Sequence, residues 1–294
     1  MVNLLLWRDN EVYGHGAALR EYCGRKGTIL GHVQHGWNPG TGWELVGREL
    51  LRRHSRRIVW GDRQLRRSSE LGIKTRAAIG APWLYSQINR QPGLVEKPIK
   101  PSYVFFPMHG TDKHPLADKV SSIREAQEIS GENQLSVCLF WRDLQDLNNP
   151  FIREAKERGI SLVTAGNPNS LQFLDNLYSI LASNTDFITN RVSTSLFYSA
   201  HLGLNIHLTT SIPLIVGEDS MDSRLAEIVE SISASSASSS ELKIISDYEL
   251  GVKHIKAPEE LAQILGLSFP SNLAKYPMLG VSAISRIARR LGVE

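Results

Sequence analysis

Short apolar runs of strand length alternate along this chain with segments of helical periodicity, and that alternation restricts the fold more than any single motif. Parallel strands need crossover connections, usually helices, so a repeated strand–helix rhythm with short links implies α/β architecture with doubly wound, mostly parallel sheets. The first array reads as strand 2–7, helix 17–25, strand 28–34, helix 45–54, strand 57–60, helix 63–71 and strand 75–79. The rhythm stops in the proline- and lysine-rich stretch 91–101, which has the composition of a linker, and restarts at Tyr103. We therefore expect two α/β domains, 1–98 and 99–294, the first abbreviated. In the second we expect strands at 103–106, 135–140, 161–165, 187–188 and 205–208, with helices at 116–129, 151–158, 170–181 and 194–202. The serine- and alanine-rich tract 233–240 reads as a surface loop, and the basic segment 285–290 as a terminal helix able to pack across the domain boundary.

With 294 residues, 41% hydrophobic and 21% charged, the chain has the size and composition for two packed cores rather than for disorder. A net charge of +3 is too diffuse to imply a nucleic-acid partner. The arginines at 48, 52, 53, 56, 57, 63, 66 and 67 form the one basic cluster. It reads either as a solvated face or as a contact for an anionic membrane or phosphate-bearing acceptor. Cys23 and Cys138 stand far apart and fit buried thiols in a reducing compartment. The first residues lack the basic start of a signal sequence, and no apolar run reaches membrane-spanning length. The expectation is a cytoplasmic protein, with peripheral contact at the inner face of the membrane under the second reading of the arginines.

Ligands of α/β proteins bind in the crevice beyond the carboxyl ends of the strands, so the residues that follow each strand are the ones to inspect. Gln34-His35-Gly36-Trp37 breaks sharply from an apolar run, and His109-Gly110-Thr111 follows another, which suggests two half-sites facing one cleft. His114 precedes Pro115 at an expected helix start, where it could reach a phosphate or base; the plainer reading is a helix that simply begins with proline. Gly166-Asn167-Pro168 allows close backbone approach to a ligand, or simply makes a turn. Asn190-Arg191 leads into Ser193-Thr194-Ser195 at a helix start, where free N–H groups could hold a diphosphate, although capping needs only Ser193. His15-Gly16 fits a cleft wall or a turn. No zinc, calcium, Walker or Gly-x-Ser-x-Gly pattern is present in the sequence.

Taken together, Gln34-His35-Gly36, Trp60-Gly61-Asp62-Arg63-Gln64 with Leu71-Gly72-Ile73, and Ile79-Gly80-Ala81-Pro82 resemble bacterial surface-polysaccharide transferases of the GT-B type, such as capsule polysaccharide synthesis proteins and CDP-glycerol glycerophosphotransferases. His114-Pro115 and Ser193-Thr194-Ser195 are similar to paired motifs of bacterial sialyl- and Kdo-transferases. The resemblance implies two Rossmann-like domains facing a cleft, and transfer of a sugar or polyol phosphate from a nucleotide-activated donor to a hydroxyl of a glycan or lipid-linked acceptor. It implies His35 as the catalytic base. His109, Gly110, Thr111, His114, Gly166, Asn167, Asn190, Arg191, Ser193, Thr194 and Ser195 would lie on the donor side, with no bound metal or other cofactor needed. The same cleft would suit a UDP-sugar 2-epimerase, given several converging carboxylates, or a non-catalytic module that binds a glycan or a partner.

Overall fold

A computed structural model describes residues 8–37, 57–70, 72, 74–90, 98–108, 120–146, 148–209, 230 and 239–267. The expected strand 2–7, the helices 45–54 and 285–290, and the tract 233–238 lie outside those residues.

The chain is an α/β protein with two parallel sheets. After a 3₁₀ segment, Arg8–Gly14, come α1 (His15–Tyr22), β1 (His32–Val33), β2 (Arg57–Val59), α2 (Asp62–Glu70), β3 (Thr75–Ala78) and α3 (Pro82–Ile88). The first sheet has the order β1-β2-β3. There follow β4 (Ser102–Phe106), α4 (Ser121–Ser130), β5 (Gln134–Cys138), α5 (Pro150–Glu157), β6 (Ser161–Val163), α6 (Phe173–Ala182), β7 (Asp186–Thr189), α7 (Thr194–His201) and β8 (Asn205–Leu208). Their sheet runs β6-β5-β4-β7-β8. Last come α8 (Ser239–Leu250) and α9 (Pro258–Leu265).

The second sheet is covered on both faces, which is why its strands read as unbroken apolar runs. Successive residues of a strand point to opposite sides. Val104 and Phe187 accordingly join a core with Leu174, Leu177 and Leu196 from α6 and α7, while Phe105 and Ile188 join one with Ile123, Phe151 and Ala155 from α4 and α5. Helix α5 starts where the sequence provides a cap: Asn149 Oδ1 accepts the Phe151 N–H at 2.9 Å, and Pro150 takes the first helical position.

Several elements depart from the sequence expectation, among them helices α3 and α9, where no element was expected. The strand expected at 28–34 contracts to His32–Val33, because Gly31 has φ 128° and the Leu30 N–H donates to Leu265 O at 2.7 Å instead of to a neighbouring strand. Ser239 and Ser240, assigned to a loop, open helix α8. The chain also returns: α8 packs on α7, with Ser246 Oγ donating to Phe197 O, whereas Leu261, Ala262 and Leu265 of α9 enter the core of the first sheet beside Leu19, Ile58 and Ile79.

That return passes over the carboxyl ends of β2 and β3. The Ala81 N–H donates to Leu250 O at 2.8 Å, and the Lys256 N–H to the Tyr85 hydroxyl at 3.0 Å. At the tightest point Gly251 has φ 71°, and a Cβ there would lie 2.1 Å from Trp60 O. Beyond those covered ends Trp60 and Ala81 enter the core that backs the second sheet, and the loop after β1 reaches α7 through the Trp37 N–H. No described helix is long and apolar enough to cross a membrane. Of the arginine cluster, Arg57 is buried in β2, Arg63 pairs with Glu249 and Arg66 donates to the Tyr248 hydroxyl; positions 48, 52, 53 and 56 lie outside the described residues. Burial pushes the Cys23 and Cys138 thiols up to about 11 and about 12, so neither forms a ready nucleophile at neutral pH.

Gly251→Ala should destabilise the protein by about 2–4 kcal/mol, since it combines left-handed backbone with a steric clash. Gly24→Ala, at φ 58° with nothing within 4 Å of the added carbon, should cost only the backbone term, about 1 kcal/mol. Urea unfolding of both variants checks the difference.

Candidate functional site

In the five-stranded sheet the strand order reverses between β4 and β7, so the crevice beyond these two carboxyl ends is the natural ligand position of the second half. Its walls are fixed by side chains. Asn190 Oδ1 accepts the Met108 N–H at 2.7 Å, and Thr189 Oγ1 lies 3.0 Å from Phe106 O, so the two strand ends are fastened to each other. Asn190 is buried in this role, while Arg191 is half-buried beside Met108 Sδ. Helix α7 starts immediately afterwards. Ser193, extended at φ −147°, does not use its hydroxyl as a cap; it shares a hydrogen bond with Ser195 Oγ at 2.9 Å.

The loop after β1 comes straight onto this helix start. Gln34 is buried and holds the loop to the first sheet, accepting the Trp60 N–H at 2.9 Å and donating to Gly36 O at 2.9 Å. Gly36 permits close approach, because a Cβ there would stand 3.2 Å from Thr194 Oγ1. The Trp37 N–H donates to that same oxygen at 2.9 Å. Its indole N–H donates to Glu249 Oε2 at 2.7 Å, and Arg63 Nε donates to the same oxygen at 2.9 Å with its guanidinium 5.4 Å from the Trp37 ring. Glu249 is 1% exposed, so the carboxylate sits between the indole and the guanidinium away from water.

His35, between Gln34 and Trp37, is half-buried. The Tyr13 ring packs against it with centroids 4.8 Å apart, and the His15 ring lies at 6.1 Å. Burial first, and the nearby His35 second, push the His15 imidazole down to about 3, so it is neutral throughout the physiological range. Tyr13 has φ 61°, left-handed backbone that is uncommon outside glycine, and burial raises its phenol. Its N–H donates to Pro168 O at 2.5 Å, which brings the turn after β6 to the same place. In that turn Gly166 has φ 90°, and Asn167 Oδ1 accepts the Asn169 N–H at 2.9 Å, so the asparagine serves its own turn.

The structure thus brings together His35, the Ser193-Thr194-Ser195 helix start and the Gly166-Asn167 turn, with Asn190 and Arg191 at the base of α7. His109, Gly110, Thr111 and His114 lie outside the described residues. Among the described residues, no group of three or more His, Cys, Asp or Glu side chains is placed to hold a metal ion. Tyr13 and Glu249 were not anticipated, and Arg63 was expected only as a member of the basic cluster and of the motif at 60–64. Tyr13 follows a kink that propensity does not foresee, and Glu249 stands 212 positions from the tryptophan it holds. No protein-family model matches this chain, and no curated protein matches it.

His15 gives the site a pH signature. Its folded value lies below the unfolded value, so the unfolded chain binds the extra proton, and stability falls as pH drops from about 6.5 towards 3. Between pH 6 and 4, wild type should lose up to about 1.4 kcal/mol per pH unit more than His15→Gln. Equal slopes in chemical unfolding at several pH values would show that His15 is not buried neutral.

Proposed function

We propose that this chain is a transferase, with its two sheets in the GT-B arrangement, that moves a sugar or polyol phosphate from a nucleotide-activated donor to a hydroxyl of a glycan or lipid-linked acceptor. The observation that carries the reading is the placement of half-buried His35 in a loop that hydrogen-bonds, through Trp37, to the N-terminus of α7. A base and an anion-stabilising helix end then stand on adjacent walls of one crevice. Neutral His15 beside the imidazole adds no competing charge.

In this reading His35, in its neutral form, takes the proton of the acceptor hydroxyl as the new bond forms, a contribution of about 10²- to 10⁴-fold. The charge that develops on the leaving phosphate is met by the N–H groups and dipole of α7 and by Arg191. Thr194 accepts the Trp37 N–H and the Ser193 and Ser195 hydroxyls pair with each other, so the backbone of this turn supports an anion more directly than its hydroxyls do. The reading places the protein in the cytoplasm, where activated donors are available, with a lipid-linked acceptor reached at the inner face of the membrane.

His35→Ala should lower turnover by about two orders of magnitude or more while leaving nucleotide affinity and melting temperature close to wild type. Affinity is read by thermal shift with CMP, CDP, UDP and GDP, and turnover with the corresponding activated donors. Full activity in folded His35→Ala would remove the assignment of the base. Stabilisation by none of the nucleotides would favour the binding-module reading instead.

A further inference from the structure

The Tyr13 ring lies among three others, with centroids 4.8 Å from His35, 4.9 Å from Phe173 and 5.8 Å from His15. It is held there by left-handed backbone, a conformation that costs a non-glycine residue on the order of 1–3 kcal/mol and that clusters at ligand clamps. Two polar groups of the core on which Phe173 packs are left unsatisfied. The Tyr198 hydroxyl, one turn along α7 from Thr194, is buried with no hydrogen-bond partner among the described residues, and so is the indole N–H of Trp83, which stacks on Tyr198 at 4.3 Å. Tyr198 is 3% exposed, and its phenol is close enough to that of Tyr13 to be raised by it, after burial. A buried hydroxyl without a partner costs about 1–3 kcal/mol, so its retention next to a strained aromatic residue calls for an occupant that satisfies it.

We propose that Tyr13 occupies the place of a ligand ring, and that the slot between His35, Phe173 and Tyr198 receives an uncharged, hydroxyl-bearing ring, a sugar, when Tyr13 swings out. The aromatic walls suit the ring's apolar faces, and Tyr198 Oη satisfies one of its hydroxyls while another meets His35. The same burial that holds His15 neutral disfavours a charged occupant. The inference rests on the transferase reading for the role of this ring, which is the acceptor, but its binding is measured without any donor.

The experiment uses D-glucose, D-galactose, N-acetyl-D-glucosamine and myo-inositol as neutral probes and D-glucuronate as the charged one, with dissociation constants from saturation-transfer NMR on wild type, Tyr13→Gly and Tyr198→Phe. Glycine accepts the left-handed backbone and leaves the slot open, so Tyr13→Gly should bind a neutral probe about fivefold or more tighter than wild type. Tyr198→Phe loses one hydrogen bond, so it should bind about five- to tenfold more weakly with an equal or higher melting temperature. The proposal is overturned if no neutral probe binds Tyr13→Gly, if Tyr198→Phe leaves the constant unchanged, or if D-glucuronate binds equally well. Thermal shift with the four nucleotides on the same preparations separates the two ideas: nucleotides without sugars remove the acceptor slot alone, whereas sugars without nucleotides remove the transferase and leave the slot standing.

Discussion

One buried carboxylate fixes the register on which the rest of the site depends. Glu249 accepts hydrogen bonds from the Trp37 indole and from Arg63, so the loop after β1, helix α2 and helix α8 must meet at one oxygen. Burying a carboxylate is unfavourable unless it is paired and hydrogen-bonded, so an alternative packing that separates these three would strand a charge. Gly251, two residues further on, permits the crossing of the chain over Trp60 that delivers Glu249 to this position.

The position of His35 is therefore a property of the whole chain rather than of its own strand. β1 is only two residues long and makes a short register with β2, too little to aim a loop by itself. Gln34 fastens the loop to Trp60 on one side, and Trp37 fastens it to Thr194 and Glu249 on the other. Between these anchors the imidazole is half-buried against Tyr13.

The parallel architecture was legible in the sequence because both faces of the second sheet are covered, which writes Val104-Phe105 and Phe187-Ile188 as continuous apolar runs. The placement of His35 and of Ser193-Thr194-Ser195 was legible for a related reason: polar and glycine residues immediately after such runs mark strand ends. What could not be read was anything set by long-range packing. The strand at 28–34 looked complete, but Leu30 bonds to a carbonyl of α9, an element that carries no local sign of belonging to the first sheet. Arg63 looked like one member of a basic surface cluster until Glu249 turned it inward. Tyr13 has no local signature, since nothing in its neighbours other than Gly14 predicts positive φ.

A double-mutant cycle between Trp37→Phe and Glu249→Gln, read as unfolding free energy, tests the central constraint most directly. Phenylalanine removes the indole donor while keeping an aromatic ring, and glutamine keeps the shape of the acceptor without its charge. If the carboxylate holds the loop as described, the two substitutions should couple by about 1 kcal/mol or more, the margin of a hydrogen bond to a charged group over one to a neutral amide. Additivity within about 0.3 kcal/mol would contradict it, because Trp37 and Glu249 would then contribute independently and the loop that carries His35 would owe its position to something else.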